Sequence, residues 1–302
     1  MNGSSKDRRP VVVGVDHSDS AREAAEWAAD ISSIWGAPLH LVNVVPGASD
    51  EAPLTPIPSW LSELRVATRR AGADPDLPEV VPGSTVELLS QRARGARLLV
   101  LGSYGDGAWS GMLAGSVALA LVGRATCPVA VVRGTAPQLA PPRNGPVVVG
   151  VDGSPSGRAA LALAADLASS LGAGLVAVHT WSDVVAGPDG AARRCVADAP
   201  ALAAAASATL IAELAPVLAA HPDLPVERHV VGDTPLRALL TAARRARMIV
   251  VGQRGHRPPA GMLLGSTSQA LVEFAPCPIV VTRADPESLV VVSGADVAGA
   301  TS

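Results

Sequence analysis

Aromatic residues are nearly missing from this 302-residue chain, which has one Phe, one Tyr and five Trp. Hydrophobic residues still make up 48%, almost all Ala, Val and Leu. Such a core must pack through small aliphatic side chains, as buried parallel strands and their covering helices do. Cysteine is scarce. Three scattered residues exclude a disulfide framework, and no spacing resembles a zinc site. Cys127 and Cys277 precede apolar runs at matching places and read as reduced, buried and inert. Excess charge is also absent. A net charge of −3 and a pI of about 6.1 argue against a nucleic-acid partner. No apolar run reaches about 18 residues without Gly, Pro or charge, so no membrane partner is expected. Residues 1–10 are polar and lack an apolar signal core, so the expected location is the cytoplasm.

A repeated glycine pattern stands out against this background. Gly102-Ser103-Tyr104-Gly105 is followed by nine residues and then Gly115-Ser116. Gly252-Gln253-Arg254-Gly255 is followed by nine residues and then Gly265-Ser266, 150 residues further on. Each copy comes directly after an apolar run, Leu98–Leu101 or Met248–Val251, and precedes a Cys-Pro and a second apolar run. A glycine-rich turn between a buried strand and a helix suits phosphate, because bare backbone N–H groups can close around an anion. One Gly-x-x-Gly would be only a turn. Two in the same context mark a tandem repeat.

The repeats open at Val11-Val12-Val13-Gly14-Val15-Asp16 and at Val147-Val148-Val149-Gly150-Val151-Asp152. These openings are 136 residues apart, so the second repeat carries about 14 extra residues before its glycine loop. We place them around 182–200, a Gly/Ala/Asp/Pro-rich stretch without strand character. The expected division is a first domain over 8–133, a Pro-rich linker over 134–146, a second domain over 147–283 and a tail over 284–302 whose Leu289–Val292 is one more strand or nothing. Short apolar strands alternate with longer Ala/Leu helices, the pattern of a parallel sheet covered by helices on both faces. In the second repeat, Pro216, Pro222, Pro225 and Pro235 are read as marking helix ends and first turns.

In an open parallel sheet, ligands sit beyond the carboxyl ends of the strands. Asp16 and Asp152 follow the first strand of each repeat, the glycine loop follows the fourth, and Ser116 and Ser266 begin a helix whose dipole favours anions. An Asp there can accept hydrogen bonds from a ribose or purine, and the loop can take a di- or triphosphate. The plainer reading of Asp16 and Asp152 is as caps of the next helix. The spacing is neither the Walker pattern nor the dinucleotide fingerprint.

The two Gly-x-x-Gly, nine-residue, Gly-Ser patterns, the opening Val147–Ser154 and the ending Ala275–Val281 resemble the universal stress protein family over nearly the whole chain. The resemblance implies an α/β fold, here two tandem five-stranded parallel-sheet domains with helices on both faces, Rossmann-like and similar to adenine nucleotide alpha hydrolases. It implies ATP as ligand, with magnesium on the phosphates rather than held by protein side chains. It also implies that the two domains pair through their last strands within one chain, and leaves a homodimer open. Carried over position by position, Asp16 and Asp152 match the adenosine-contacting acid, and Val44 and Thr180 the position that touches adenine. Gly102, Gly105, Gly115, Ser116 and Val117 match the ribose and phosphate loop of the first domain. Gly252, Arg254, Gly255, Gly265, Ser266, Thr267 and Ser268 match that of the second.

The copies differ. The second has Arg254, His256 and Arg257 in its loop where the first has Tyr104 and Asp106, and Ser268 where the first has Ala118. The second is therefore expected to bind more tightly. His17, in the place of Gly153, reads as an exposed loop residue, and His179 as a hydrogen-bonded histidine rather than an acid–base group. The Arg244, Arg245 and Arg247 cluster reads as a solvated helix end. Trp27, Trp35 and Trp60 read as packing, and Trp109 either packs or covers the ligand. The favoured function is an ATP-binding, stress-response regulatory protein with at most slow hydrolysis. The alternatives are a nucleotide-processing enzyme of the ATP pyrophosphatase or adenylating type, and a stress-induced interaction protein with a degenerate first site.

Overall fold

A computed structural model of the chain describes residues 9–46, 56–105, 114–134, 139–182, 184–186, 192–194, 199–255 and 262–284. The first repeat runs β1 (Val11–Gly14), α1 (Asp19–Trp35), β2 (Leu39–Val45), α2 (Ser59–Arg70), β3 (Glu79–Pro82), α3 (Thr85–Ala93), β4 (Leu98–Gly102), α4 (Ser116–Arg124) and β5 (Val129–Val132). The second runs β6 (Val147–Gly150), α5 (Pro155–Ser170), β7 (Leu175–Trp181), β8 (Val184–Ala186), β9 (Ala192–Arg194), α6 (Ala199–Ala220), β10 (Val226–Gly232), α7 (Pro235–Ala243), β11 (Met248–Gly252), α8 (Ser266–Phe274) and β12 (Ile279–Thr282).

The two five-stranded halves merge into one ten-stranded sheet, in the order β10-β7-β6-β11-β12-β5-β4-β1-β2-β3. Within this sheet, every pairing inside a half is parallel. At the centre β12 pairs β5 antiparallel, with Val280 opposite Ala130. The last strands thus join the halves, as the resemblance implies. The inner strands are buried on both faces. Val11, Val13 and Val15 face one core with α1 and α2, while Val12 faces the other with α3 and α4. Alternation along a strand sends successive side chains to opposite faces, so an unbroken Val run serves both cores. Alanines at 21, 24, 25, 28 and 29 line the buried side of α1 and let it sit close to the sheet. Trp27 and Trp35 are buried, and Trp60 packs against the same core.

Two arginines close the central junction reciprocally. Arg133, just after β5, donates from Nη1 to the Val272 and Glu273 carbonyls near the end of α8. Arg283, just after β12, donates to the Arg124 and Ala125 carbonyls at the end of α4, at 3.3 and 3.1 Å. A cation at a helix C-terminus satisfies orphan carbonyls and complements the dipole. Burial pushes the Arg133 guanidinium pKa down. Burial acts on the thiols too, lifting Cys127 to about 11 and Cys277, beside Arg133, to about 12.

Two readings of the sequence need correcting. The insertion around 182–200 does carry strands, because β8 and β9 form an antiparallel pair with Val184 opposite Arg194. In the sequence the residues between them, Gly187-Pro188-Asp189-Gly190, are of the types that separate paired strands. Pro216 does not end a helix; it lies inside α6. Both Pro216 and Ala212 are exposed, so water can reach the carbonyl that proline leaves unpaired. Pro235 does stand in the first turn of α7. By length and composition α6 is apolar enough to cross a membrane. In this fold its Leu210, Leu214 and Val217 are buried in the core that α6 shares with β7. Leu289–Val292 lies outside the described residues.

Candidate functional site

The chain leaves β1 toward β2 and β3 on one side, and occupies β4 and β5 on the other. The carboxyl ends of β1 and β4 therefore flank a crevice, and β6 and β11 repeat it in the second half. Each crevice is shaped by the same short sequence, Asp-x-Ser-x-Ser, at 16–20 and 152–156.

In the second half, Asp152 Oδ1 accepts from the Ser154 N–H at 3.0 Å and the Ser154 hydroxyl at 2.7 Å. Ser154 Oγ in turn accepts from the Gly157 N–H at 2.9 Å and caps α5, with Pro155 in the first turn. Ser18 does the same for α1 through the Ala21 N–H, held by Asp16. The caps are therefore the serines, and the aspartates orient them. Ser154→Ala should lower stability by about 1 kcal/mol, read as a fall in Tm. The next serine fixes the glycine loop. Ser156 Oγ donates to the Arg254 carbonyl at 2.6 Å. Ser20 Oγ accepts from the Ser103 N–H at 2.7 Å.

Close approach explains the first glycines. A Cβ on Gly102 or Gly252 would come within 2.8 Å of the Ser20 or Ser156 backbone carbonyl carbon. A Cβ on Gly105 would come within 2.7 Å of Asp16 Oδ2, whereas one on Gly255 would make only an ordinary contact, 3.4 Å from Asp152 Oδ2. The later glycines correct the expectation of bare N–H groups. The Gly115 N–H donates to the Ser103 carbonyl at 2.7 Å and the Gly265 N–H to the Gln253 carbonyl at 2.8 Å, so both close the loop on itself. Donors open to an anion include the first-turn N–H groups of α4 and α8, from Ser116 and Ser266 onward, which have no intrahelical acceptor.

A cavity of about 600 Å³ opens at the second crevice. One end is walled by Val178, His179, Thr180, Pro235 and Leu239, and the other by Arg254, Gly255, Gly265, Ser266 and Thr267, with Asp152 between the strand ends. The size lies within the small-molecule range of roughly 300–1,000 Å³. An apolar end and a helix N-terminus with a cation suit a flat ring joined to an anion. His179 Nδ1 lies 2.7 Å from the Val151 carbonyl. A carbonyl only accepts, so Nδ1 carries the proton. Asn43 donates to the Val15 carbonyl at 2.8 Å from the matching place in β2. Both side chains satisfy the carbonyl just beyond the first strand, which makes His179 a brace.

Ser268 is a further correction. It lines the cavity, but its hydroxyl donates to the Gly252 carbonyl at 2.7 Å and ties α8 to β11, a structural role the sequence did not suggest. Ala118 is equally buried in the first half. Asp16, Gly102, Gly105, Gly115 and Ser116 occupy the corresponding places there, and Val44 and Val117 pack on the core. Acidic α1 residues lie close to this crevice. Burial, then Asp19 and Glu26, raise the Glu23 pKa, and burial followed by Glu23 and Asp19 raises that of Tyr104. His17 is exposed, edge-on to Trp60 at 5.6 Å. Asp106, Trp109, His256 and Arg257 lie outside the described residues. Leu239 and Met262 also line the cavity and carry no signal in the sequence, and Pro235 lines it too, though the sequence marks it only as a first-turn proline.

Fold and crevice together define a doubly wound α/β protein with a ligand-sized cavity at the switch point of its second repeat. The profile of the universal stress protein family matches residues 7–133 and 144–283, and the chain belongs to that family. Universal stress protein Rv2623 of Mycobacterium tuberculosis is 36% identical over 290 residues, covering 90% of this chain and 96% of that one. Universal stress protein Rv2005c of the same organism is 38% identical over the same coverage. Among solved structures, a universal stress protein from Archaeoglobus fulgidus aligns with a TM-score of 0.67 at 18% identity, covering 93% of this chain and all of that one.

Proposed function

We propose that the second repeat binds ATP and that the protein is a nucleotide-responsive regulator rather than a turnover enzyme. The observation that carries this reading is the cavity of about 600 Å³, with its apolar end on β7 and α7 and its anion end on Arg254 and the start of α8. The adenine lies against Val178, Thr180 and Leu239. The ribose faces Asp152, whose Oδ1 is engaged by Ser154. The phosphates reach the first-turn N–H groups of α8, the Ser266 and Thr267 hydroxyls and the Arg254 side chain. Hard oxygen donors at this end fit magnesium, which enters on the phosphates and keeps waters in its shell.

A regulatory role is favoured because the polar groups around the cavity hold structure. Ser156 bonds the Arg254 carbonyl, Ser268 bonds the Gly252 carbonyl and His179 braces Val151. An adenylating enzyme would need a Ser-Gly-Gly-x-Asp type loop after the first strand, where this chain has Asp152-Gly153-Ser154-Pro155. Calorimetric titration with magnesium ATP, followed by nucleotide analysis of the mixture, tests the reading. The expected result is saturable binding with slow conversion to ADP at most. Rapid, substrate-dependent release of AMP would favour the enzyme instead. No saturable binding would leave the interaction-protein reading.

A further inference from the structure

The glycine loop of the second repeat rests on the first repeat. Gln253, directly after β11, is 3% exposed. Its Nε2 donates to the carbonyls of Val122 at 3.2 Å and Gly123 at 3.0 Å, in the last turn of α4. These are carbonyls a helix end leaves without an internal partner. The returning leg of the loop reaches the same turn, since a Cβ on Gly123 would lie 3.5 Å from Leu263 Cβ. The Gln253 backbone is equally fixed. Its N–H donates to the Thr282 carbonyl at 2.7 Å, and its own carbonyl accepts the Gly265 N–H that closes the loop. The next residue, Arg254, lines the cavity. One side chain thus connects the anion end of the second site to a helix whose other end, Ser116, opens the first crevice.

The first repeat is built differently. Ser103 stands at the matching position, and its N–H bonds to Ser20 within its own half. Its Oγ lies 3.4 Å from the same Ser20 hydroxyl. The dependence therefore runs from the second loop onto the first repeat, with Gln253 as its polar contact.

We propose that Gln253 is a positioning residue through which α4 of the first repeat holds the ligand loop of the second repeat in its binding geometry. The effect on affinity rests on the nucleotide reading above; the mechanical link does not. Two substitutions separate them. Gln253→Met keeps the side-chain length and removes both donated bonds, and Gln253→Ser installs the residue of the first repeat. Affinity for ATP is read in a Gly115→Glu background, so that only the second site reports. Amide hydrogen exchange at Gly255 and Gly265 is read without ligand. Losing a pair of buried hydrogen bonds of ordinary strength should weaken ATP binding about five- to tenfold and speed Gly265 exchange by a similar factor, with exchange at the Gly157 cap unchanged. Gly265 exchange within twofold of the unmutated chain would overturn the inference, whether or not ATP binds. Faster exchange in a protein that binds no ATP at all would uphold the link and sink the nucleotide reading. The unmutated chain gives a check that needs no variant. The Gln253 side-chain amide protons should exchange slowly, and exchange at the rate of a free amide would also overturn the inference.

Discussion

Glutamate at position 265 should abolish nucleotide binding in the second repeat and leave the fold intact. Gly265 has φ −67° and ψ 148°, backbone that any residue adopts. A Cβ there meets nothing closer than the Gln253 carbonyl at 3.4 Å, an ordinary contact. The protein alone therefore tolerates a side chain at this point, and a longer one extends into the cavity. Its carboxylate would sit where α8 offers its free N–H groups, which suits the empty protein and excludes a phosphate. The expected loss is at least about 100-fold in affinity, or roughly 2.7 kcal/mol, with Tm within a few degrees of the parent. Gly115→Glu should remove much less of the total binding. Asp19 and Glu23 already face the first loop near Tyr104, while the second has Arg254 at that place. Equal losses from the two substitutions would defeat the claim that the second site is the stronger.

The second large effect concerns the centre of the sheet. Val280 is fully buried and lies opposite Ala130, where the two halves meet. Val280→Asp places a carboxylate between the sheet and the helices that cover one of its faces, with no cation assigned to it. A desolvated charge of this kind should destabilise by about 4 kcal/mol or more, a large part of a total near 5–15 kcal/mol. Urea unfolding of the variant checks this. Val226→Asp, on the half-exposed edge strand β10, serves as the comparison and should cost about 1 kcal/mol or less. A loss at Val280 as small as that at Val226 would mean that the β5–β12 seam does not carry the structure.

How much of this was legible depends on the signal each residue carries. The Val runs and Ala-rich helices gave the two α/β halves directly, because burial on both sheet faces leaves an unbroken apolar strand. The central seam was visible only through the family resemblance, since nothing in Val129–Val132 or Ile279–Thr282 states which strand lies beside it. Asp152, Gly255, Gly265 and Ser266, which the repeat pattern singles out, all border the cavity. The reasons were partly wrong. Gly252 is required by the nearness of α5, and Gly265 donates its N–H to the loop. Ser268 looked like a ligand hydroxyl but answers the Gly252 carbonyl. The Asp-x-Ser-x-Ser repeat was readable, and it explains cap and loop together. Gln253 was not readable, because its partners are 130 and 131 residues away on the other half.

The most direct test of the central claim is mass spectrometry of whatever small molecule is released when protein purified without added nucleotide is denatured. The account predicts ATP or its hydrolysis product, bound at about one per chain in the parent and lost from Gly265→Glu. Release of a different class of ligand, or equal adenine nucleotide from the parent and from Gly265→Glu, would contradict it.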